Sequence, residues 1–439
     1  MTKHVAFLLF PACAMSLGWA FRGFIGGGPL GAMIPGAMVA LALAWLLAMD
    51  DWAAGEGVPV RTGMVAAFGA VGIGFGGQMT YGQTVGLASD VATMPWGLLG
   101  LTLKGAIWGL SGGAVLGLGF TIRRYSRMQV AAALGAMLAG TWAGWRWVNV
   151  PKLIYFSNRL DRPREEMWAG LLLGTVALLV VLLAIRWNAP MLRFALASFV
   201  GGGLGFGLGG ALLAAGRNST LNPEFWPWWK GMEYTFGLLF GLALGWAAWR
   251  SRAELAEQRG ARGPESAEEA NRPNGRLLLL ASILLIGAAV PFEYAGIFRF
   301  GYSIVGVTLL LVALRSETLA WHIAMTMTCF AFLMDLAEAY YGDLAIGPMW
   351  AGVALAVAGA LVFWKAVERL RVAGGDRLPK MFLMMTFTAF AVTTASSAMR
   401  AWYGHPSHAE YAMFVVATLV VWRICSRLRG AERLGARSS

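Results

Sequence analysis

The stretch from Gly216 to Tyr234 joins two apolar segments, yet it holds Glu224 and Glu233, Arg217 and Lys230, Asn218 and Asn222, and the rings of Phe225, Trp226, Trp228 and Trp229. Two carboxylates in unlike surroundings are the minimum equipment for general acid/base or glycosidic chemistry, one kept neutral by burial and the other ionised. Glu233 falls about a turn inside the apolar run and is the expected acid. Glu224 or Glu166, both in connectors, is the expected ionised partner.

The groups that would hold a substrate for such a pair sit at one depth. At ~1.5 Å per helical residue, Arg22 counted from Lys3, Arg146 from Arg127, Glu166 from Arg186 and Lys230 from Arg250 all come out ~28–30 Å from the inner cations, the thickness of a bilayer's hydrocarbon. Charges in ion-coupled transporters tend to cluster near the bilayer midplane, so this layer points toward a site at the outer face. Its expected binding groups are the cations Arg22, Arg146, Lys152, Arg217 and Lys230 and the amides Gln78, Gln83, Asn149 and Asn218. The aromatics Tyr81, Trp228 and Tyr234 complete it. Amides, guanidiniums and flat rings around carboxylates suit a carbohydrate, whose hydroxyls need polar partners and whose ring faces pack on aromatics. The same cations would equally hold a phosphate or an anionic lipid headgroup.

A plainer account competes for each of these residues. Trp96, Trp168 and Arg164 read as members of an interfacial belt of aromatics and snorkelling cations. Glu233 fits that account poorly, and its structural alternative is an ion pair with Lys230 three residues earlier. Asp335 and Glu338 share a helix face and read as a helix end, with an extension of the outer site as the alternative.

Other motifs carry less. Gly72-Ile73-Gly74-Phe75-Gly76-Gly77 has glycines like a dinucleotide loop but lies inside an apolar segment with no strand before it. His405, His408 and Glu410 are spaced as an ordinary loop, and Cys13, Cys329 and Cys425 have neither disulfide nor thiolate-metal spacing. No cofactor and no metal site is expected.

These side chains must be positioned by membrane helices. The chain has 439 residues, of which 58% are hydrophobic and 13% charged, a balance outside that of soluble domains. A ruler of roughly 20 apolar residues per span predicts an all-α polytopic membrane protein with about fourteen transmembrane helices. Residues 1–250 form a glycine-rich eight-helix domain that carries the outer site, 251–275 a charged cytoplasmic linker, and 276–439 a six-helix domain with a basic tail. Most of the 58 glycines fall in the first part, where helices can approach closely. Gly18-Trp19 returns as Gly144-Trp145 and Lys104-Gly105 as Lys230-Gly231, which suggests a parallel four-plus-four duplication against a background of chance matches between glycine-rich strings.

The net charge of +12 does not imply nucleic acid, because the greater part of the 35 Lys and Arg fall in alternate connectors, as cytoplasmic loops do. Both termini are then cytoplasmic, in a bacterial inner membrane. The expected function is a membrane-embedded enzyme, a glycoside hydrolase or glycosyl transferase, acting from the extracytoplasmic side on a saccharide or lipid-linked saccharide. The alternative is a transporter or channel for a polar solute with the same layer as its vestibule. The bilayer and the substrate are the expected partners, no nucleic acid is, and a homo-oligomer is compatible with either function.

Overall fold

The computed structural model describes residues 2–25, 27–50, 61–158, 163–220, 226–257, 300–372, 377–404 and 408–438. Among them the chain is helical, with no strand. In order the α-helices are α1 (Lys3–Ile25), α2 (Gly28–Asp50), α3 (Thr62–Gly76), α4 (Gly82–Ser89), α5 (Met94–Thr121), α6 (Arg127–Gly144), α7 (Trp168–Ile185), α8 (Ala189–Arg217) and α9 (Trp228–Glu257). There follow α10 (Gly301–Ala313), α11 (Glu317–His322), α12 (Thr328–Glu338), α13 (Met349–Val372), α14 (Arg377–Trp402) and α15 (His408–Ser438). A π-helical segment (Ile323–Met327) joins α11 to α12. Nine helical segments among the described residues are long and apolar enough to cross a membrane, and α3 and α10 are shorter apolar helices. The start of the expected six-helix domain, 276–299, and most of the expected linker at 251–275 lie outside the described residues.

Glycine sets the helix spacing. A Cβ at Gly105, Gly109 or Gly113 of α5 would stand 2.3, 1.7 or 2.3 Å from the carbonyl oxygens of Gly202, Ser198 or Phe194 of α8, so the two backbones run antiparallel in direct contact. The next face of α8, at Gly201, Gly205 and Gly209, packs in the same way on Leu239, Phe236 and Met232 of α9. In turn Gly237, Gly241 and Gly245 of α9 lie on Met15, Pro11 and Phe7 of α1. Repeats at every fourth residue keep each glycine stripe on one helix face. The chain α5–α8–α9–α1 is thereby a tight antiparallel stack, and it fixes the end of α1 against the start of α9. The helices beyond residue 300 pack beside it, α10 and α11 against α3, α14 against α2, and α15 against α1.

One element departs from the expected layout. The span predicted over 62–82 stops at Gly76, and the chain turns through 77–81 into the short α4 before α5 begins. Gly77 lies against the backbone of Gly28 and Pro29, where a Cβ would be 2.5 Å from the Pro29 Cα. Irregular backbone between apolar helices is tolerated where protein or a cavity surrounds it, and this segment borders a cavity.

Candidate functional site

The cavity has a volume of about 470 Å³, within the range of roughly 300–1,000 Å³ typical of small-molecule sites. Its wall comes from the C-terminal ends of α1, α3, α12 and α14, the start of α2 and α9, the 77–82 turn, and Arg164 ahead of α7. The ionisable groups on that wall are Arg22, Tyr81, Arg164, Glu233, Glu338 and Arg400.

Arg22 occupies the last turn of α1 and is 4% exposed. Its Nη1 donates to the Tyr81 hydroxyl at 2.5 Å, and its Nη2 donates to the Gly28 carbonyl at 3.3 Å. The guanidinium carbon lies 5.1, 5.4 and 5.6 Å from the ring centres of Trp19, Tyr81 and Trp108. Gly28 has φ of 60°, a left-handed conformation that glycine adopts without strain, and this turns its carbonyl back to the guanidinium. Among the described residues no carboxylate makes a hydrogen bond or ion pair with Arg22, and its Nε has no partner. A buried charge without a contacting counter-charge costs several kcal/mol, and each cation–π contact returns about 0.5–2 kcal/mol.

Glu233 faces it from the second turn of α9 and is 3% exposed. Its Oε1 accepts from Trp229 Nε1 at 3.0 Å and its Oε2 from Lys230 Nζ at 2.8 Å. Both contacts follow from helical spacing, four and three residues back. Two donors aimed at the two oxygens also suit a carboxylate that accepts, so a base or nucleophile role stands beside the expected acid role. A Cβ at Gly23 would stand 1.8 Å from Glu233 Oε1, so glycine there makes room for the carboxylate. The Tyr81 and Trp229 rings stack with centroids 6.2 Å apart and 27° between planes, and both line the cavity with the two charges.

Glu166 is elsewhere. It is 1% exposed, its Oε1 accepts from Lys104 Nζ at 2.6 Å and Ser157 Oγ at 3.0 Å, and its Oε2 accepts from the Phe156 amide at 3.2 Å. Lys104 also donates to the Thr80 carbonyl at 2.6 Å and to Thr84 Oγ1 at 2.8 Å, which uses its three protons. The pair is thus a fully bonded strut that braces the 77–82 turn from behind, and it positions Tyr81 without lining the cavity.

The remaining expected site residues scatter. Gln78 accepts from the Ser303 amide and hydroxyl at 3.1 and 2.9 Å, tying the end of α3 to α10. Asn149 caps α7 by accepting from the amides of Ala169 and Gly170, each at 3.1 Å. Arg146 is exposed, Lys152 lies over the Tyr155 ring, and Gln83 sits half-buried in the first turn of α4. Arg217 and Asn218 bond to Ser89, Trp228 packs under Gly216, and Tyr234 lies near Phe414. Lys230 stands behind Glu233, over the rings of Phe24 and Phe414. Glu224 lies outside the described residues.

Three ionisable wall residues were not among the expected ligands: Arg164, Arg400 and Glu338, the last read only as an alternative extension of the site. Arg400 stands 20 positions from Lys380, as Lys230 does from Arg250, so the depth count that selected Lys230 also selects it. Comparison with known proteins matches no family model, no curated protein and no solved structure, so the chemistry of the site rests on its own residues.

Proposed function

We propose that the protein is a membrane-embedded enzyme that takes a saccharide, free or lipid-linked, into the cavity between Arg22 and Glu233 at the extracytoplasmic face. Glu233 is the base or nucleophile of a glycosidic cleavage or transfer. One observation carries this: a buried carboxylate and a buried guanidinium border the same cavity beside a stacked phenol and indole. A sugar ring would lie on Tyr81 and Trp229, with its hydroxyls or leaving group between the two charges. Glu338, on the same wall, or Glu224 is the candidate for the second carboxylate that glycosidic chemistry needs. In this reading the chain crosses the membrane about fourteen times in an eight-plus-six arrangement, with both termini cytoplasmic.

The short α3 and the irregular 77–81 backbone favour a second reading, transport of the same kind of solute, because transporter sites are commonly built from interrupted helices. Purified protein in proteoliposomes distinguishes them. An enzyme converts a labelled lipid-linked saccharide, loses at least ~100-fold in rate as Glu233→Gln, and shows no counterflow. Counterflow without product supports the transporter, and wild-type turnover by a folded Glu233→Gln protein removes Glu233 from the chemistry.

A further inference from the structure

We infer that the ligand of this cavity carries a phosphate group, and that Arg22 is its anchor, with Arg164 and Arg400 closing around it. This deepens the enzyme reading and rests on its choice of cavity as the substrate site. Arg22 is buried, yet its two hydrogen bonds go to neutral oxygens, those of Tyr81 and Gly28, and three aromatic rings surround its carbon. A guanidinium has five N–H donors in a fixed fork, which leaves three unmatched, a buried one on Nε and one on each terminal nitrogen for a ligand or water. Glu233 is the carboxylate on the facing wall, but its oxygens receive Lys230 and Trp229. The site thus contains a desolvated cation and no protein anion in contact with it among the described residues.

Among the described residues of the wall, cations outnumber carboxylates. Arg22, Arg164 and Arg400 stand against Glu233 and Glu338, and Lys230 offsets Glu233 from behind. Three guanidiniums, from α1, the segment before α7 and α14, line the one cavity, which suits an oxyanion carrying more than one charge better than a single carboxylate. Gly27 and Gly82 on the same wall have nothing within 4 Å of where a Cβ would be, so the backbone there is open to a bulky anionic group. The phosphate could belong to a soluble sugar phosphate or to the headgroup of a carrier lipid, since both present the same oxygens.

The test is direct binding to the full-length protein in nanodiscs of phosphatidylcholine, followed by calorimetry with a hexose 1-phosphate, the same hexose without phosphate, and inorganic pyrophosphate. A parallel set of nanodiscs contains phosphatidylglycerol. The phosphorylated sugar should bind at least ~30-fold more tightly than the neutral one. Arg22→Met should abolish that preference, Arg22→Lys should restore part of it, and Arg400→Gln and Arg164→Gln, at less buried positions, should each weaken it by roughly tenfold. Competition by phosphatidylglycerol assigns the phosphate to a lipid, and its absence assigns it to a soluble sugar phosphate. Equal affinity for both sugars, or an undiminished preference in folded Arg400→Gln and Arg164→Gln, overturns the inference. Retained phosphate binding with no turnover of any glycoside would leave the anchor standing and remove the enzyme reading instead.

Discussion

The Tyr81 hydroxyl accepts a 2.5 Å hydrogen bond from Arg22 Nη1, while the Tyr81 ring stacks on Trp229, the residue whose indole donates to Glu233. One side chain therefore touches both halves of the site. It reaches that place because α3 ends early and the 77–81 turn is braced by the Lys104–Glu166 strut.

Tyr81→Phe keeps the ring and removes the acceptor. A hydrogen bond to a charged group is worth about 1.5–3 kcal/mol, so ligand affinity should fall by roughly ten- to a hundredfold. Helical content should change little, because the stacking on Trp229 remains, while the folded protein should lose stability of the same order because the buried Arg22 donor is left without its acceptor; titration calorimetry, circular dichroism and thermal unfolding together check this.

Lys104 and Glu166 should behave as a structural pair. Each single change, Lys104→Met or Glu166→Gln, leaves a buried partner unmatched and should destabilise the protein by about 3–5 kcal/mol. The double change Lys104→Met with Glu166→Leu should recover part of that loss. Thermal unfolding in detergent reads both, and a Glu166→Gln protein of wild-type stability but without activity would restore Glu166 to the chemistry.

Gly23→Ala tests the seat of Glu233. The added methyl would occupy the position of the carboxylate, 1.8 Å from Oε1, so turnover should drop at least ~50-fold as Glu233 is pushed from the cavity. Gly135→Ala, where a Cβ meets nothing within 4 Å, is the control and should leave the rate within about twofold.

Arg146→Gln should leave both binding and turnover within about twofold of wild type, because Arg146 is exposed and off the cavity wall. The same assay on Arg22→Lys should show a loss of more than tenfold, since the ammonium cannot reproduce the fork that reaches Tyr81 and Gly28 together.

What could be read in the chain beforehand follows from the membrane's thickness. A fixed thickness turns residue separation into depth, and that count brought Arg22 and Lys230 to one level, with Glu233 a little deeper, although they lie on α1 and α9. Depth says nothing of azimuth around a bundle. Arg146 and Glu166 share the level of Arg22, yet one faces outward and the other is locked to Lys104, 62 positions away in sequence. Gln78 and Asn149 look like ligands by type, but each answers a backbone need, the start of α10 and the start of α7. The early end of α3 was hidden because Gly74 to Gly77 read as part of an apolar run, while the contact that stops it, Gly77 on Pro29, is tertiary.

The most direct test is a cryo-electron microscopy map of the protein with a phosphorylated glycolipid bound. The account predicts phosphate density against Arg22, a sugar ring on Tyr81 and Trp229, and the glycosidic carbon or a water at it within ~3–3.5 Å of a Glu233 oxygen. Ligand density elsewhere on the bundle, with this cavity closed around the Arg22–Tyr81 contact, would contradict it.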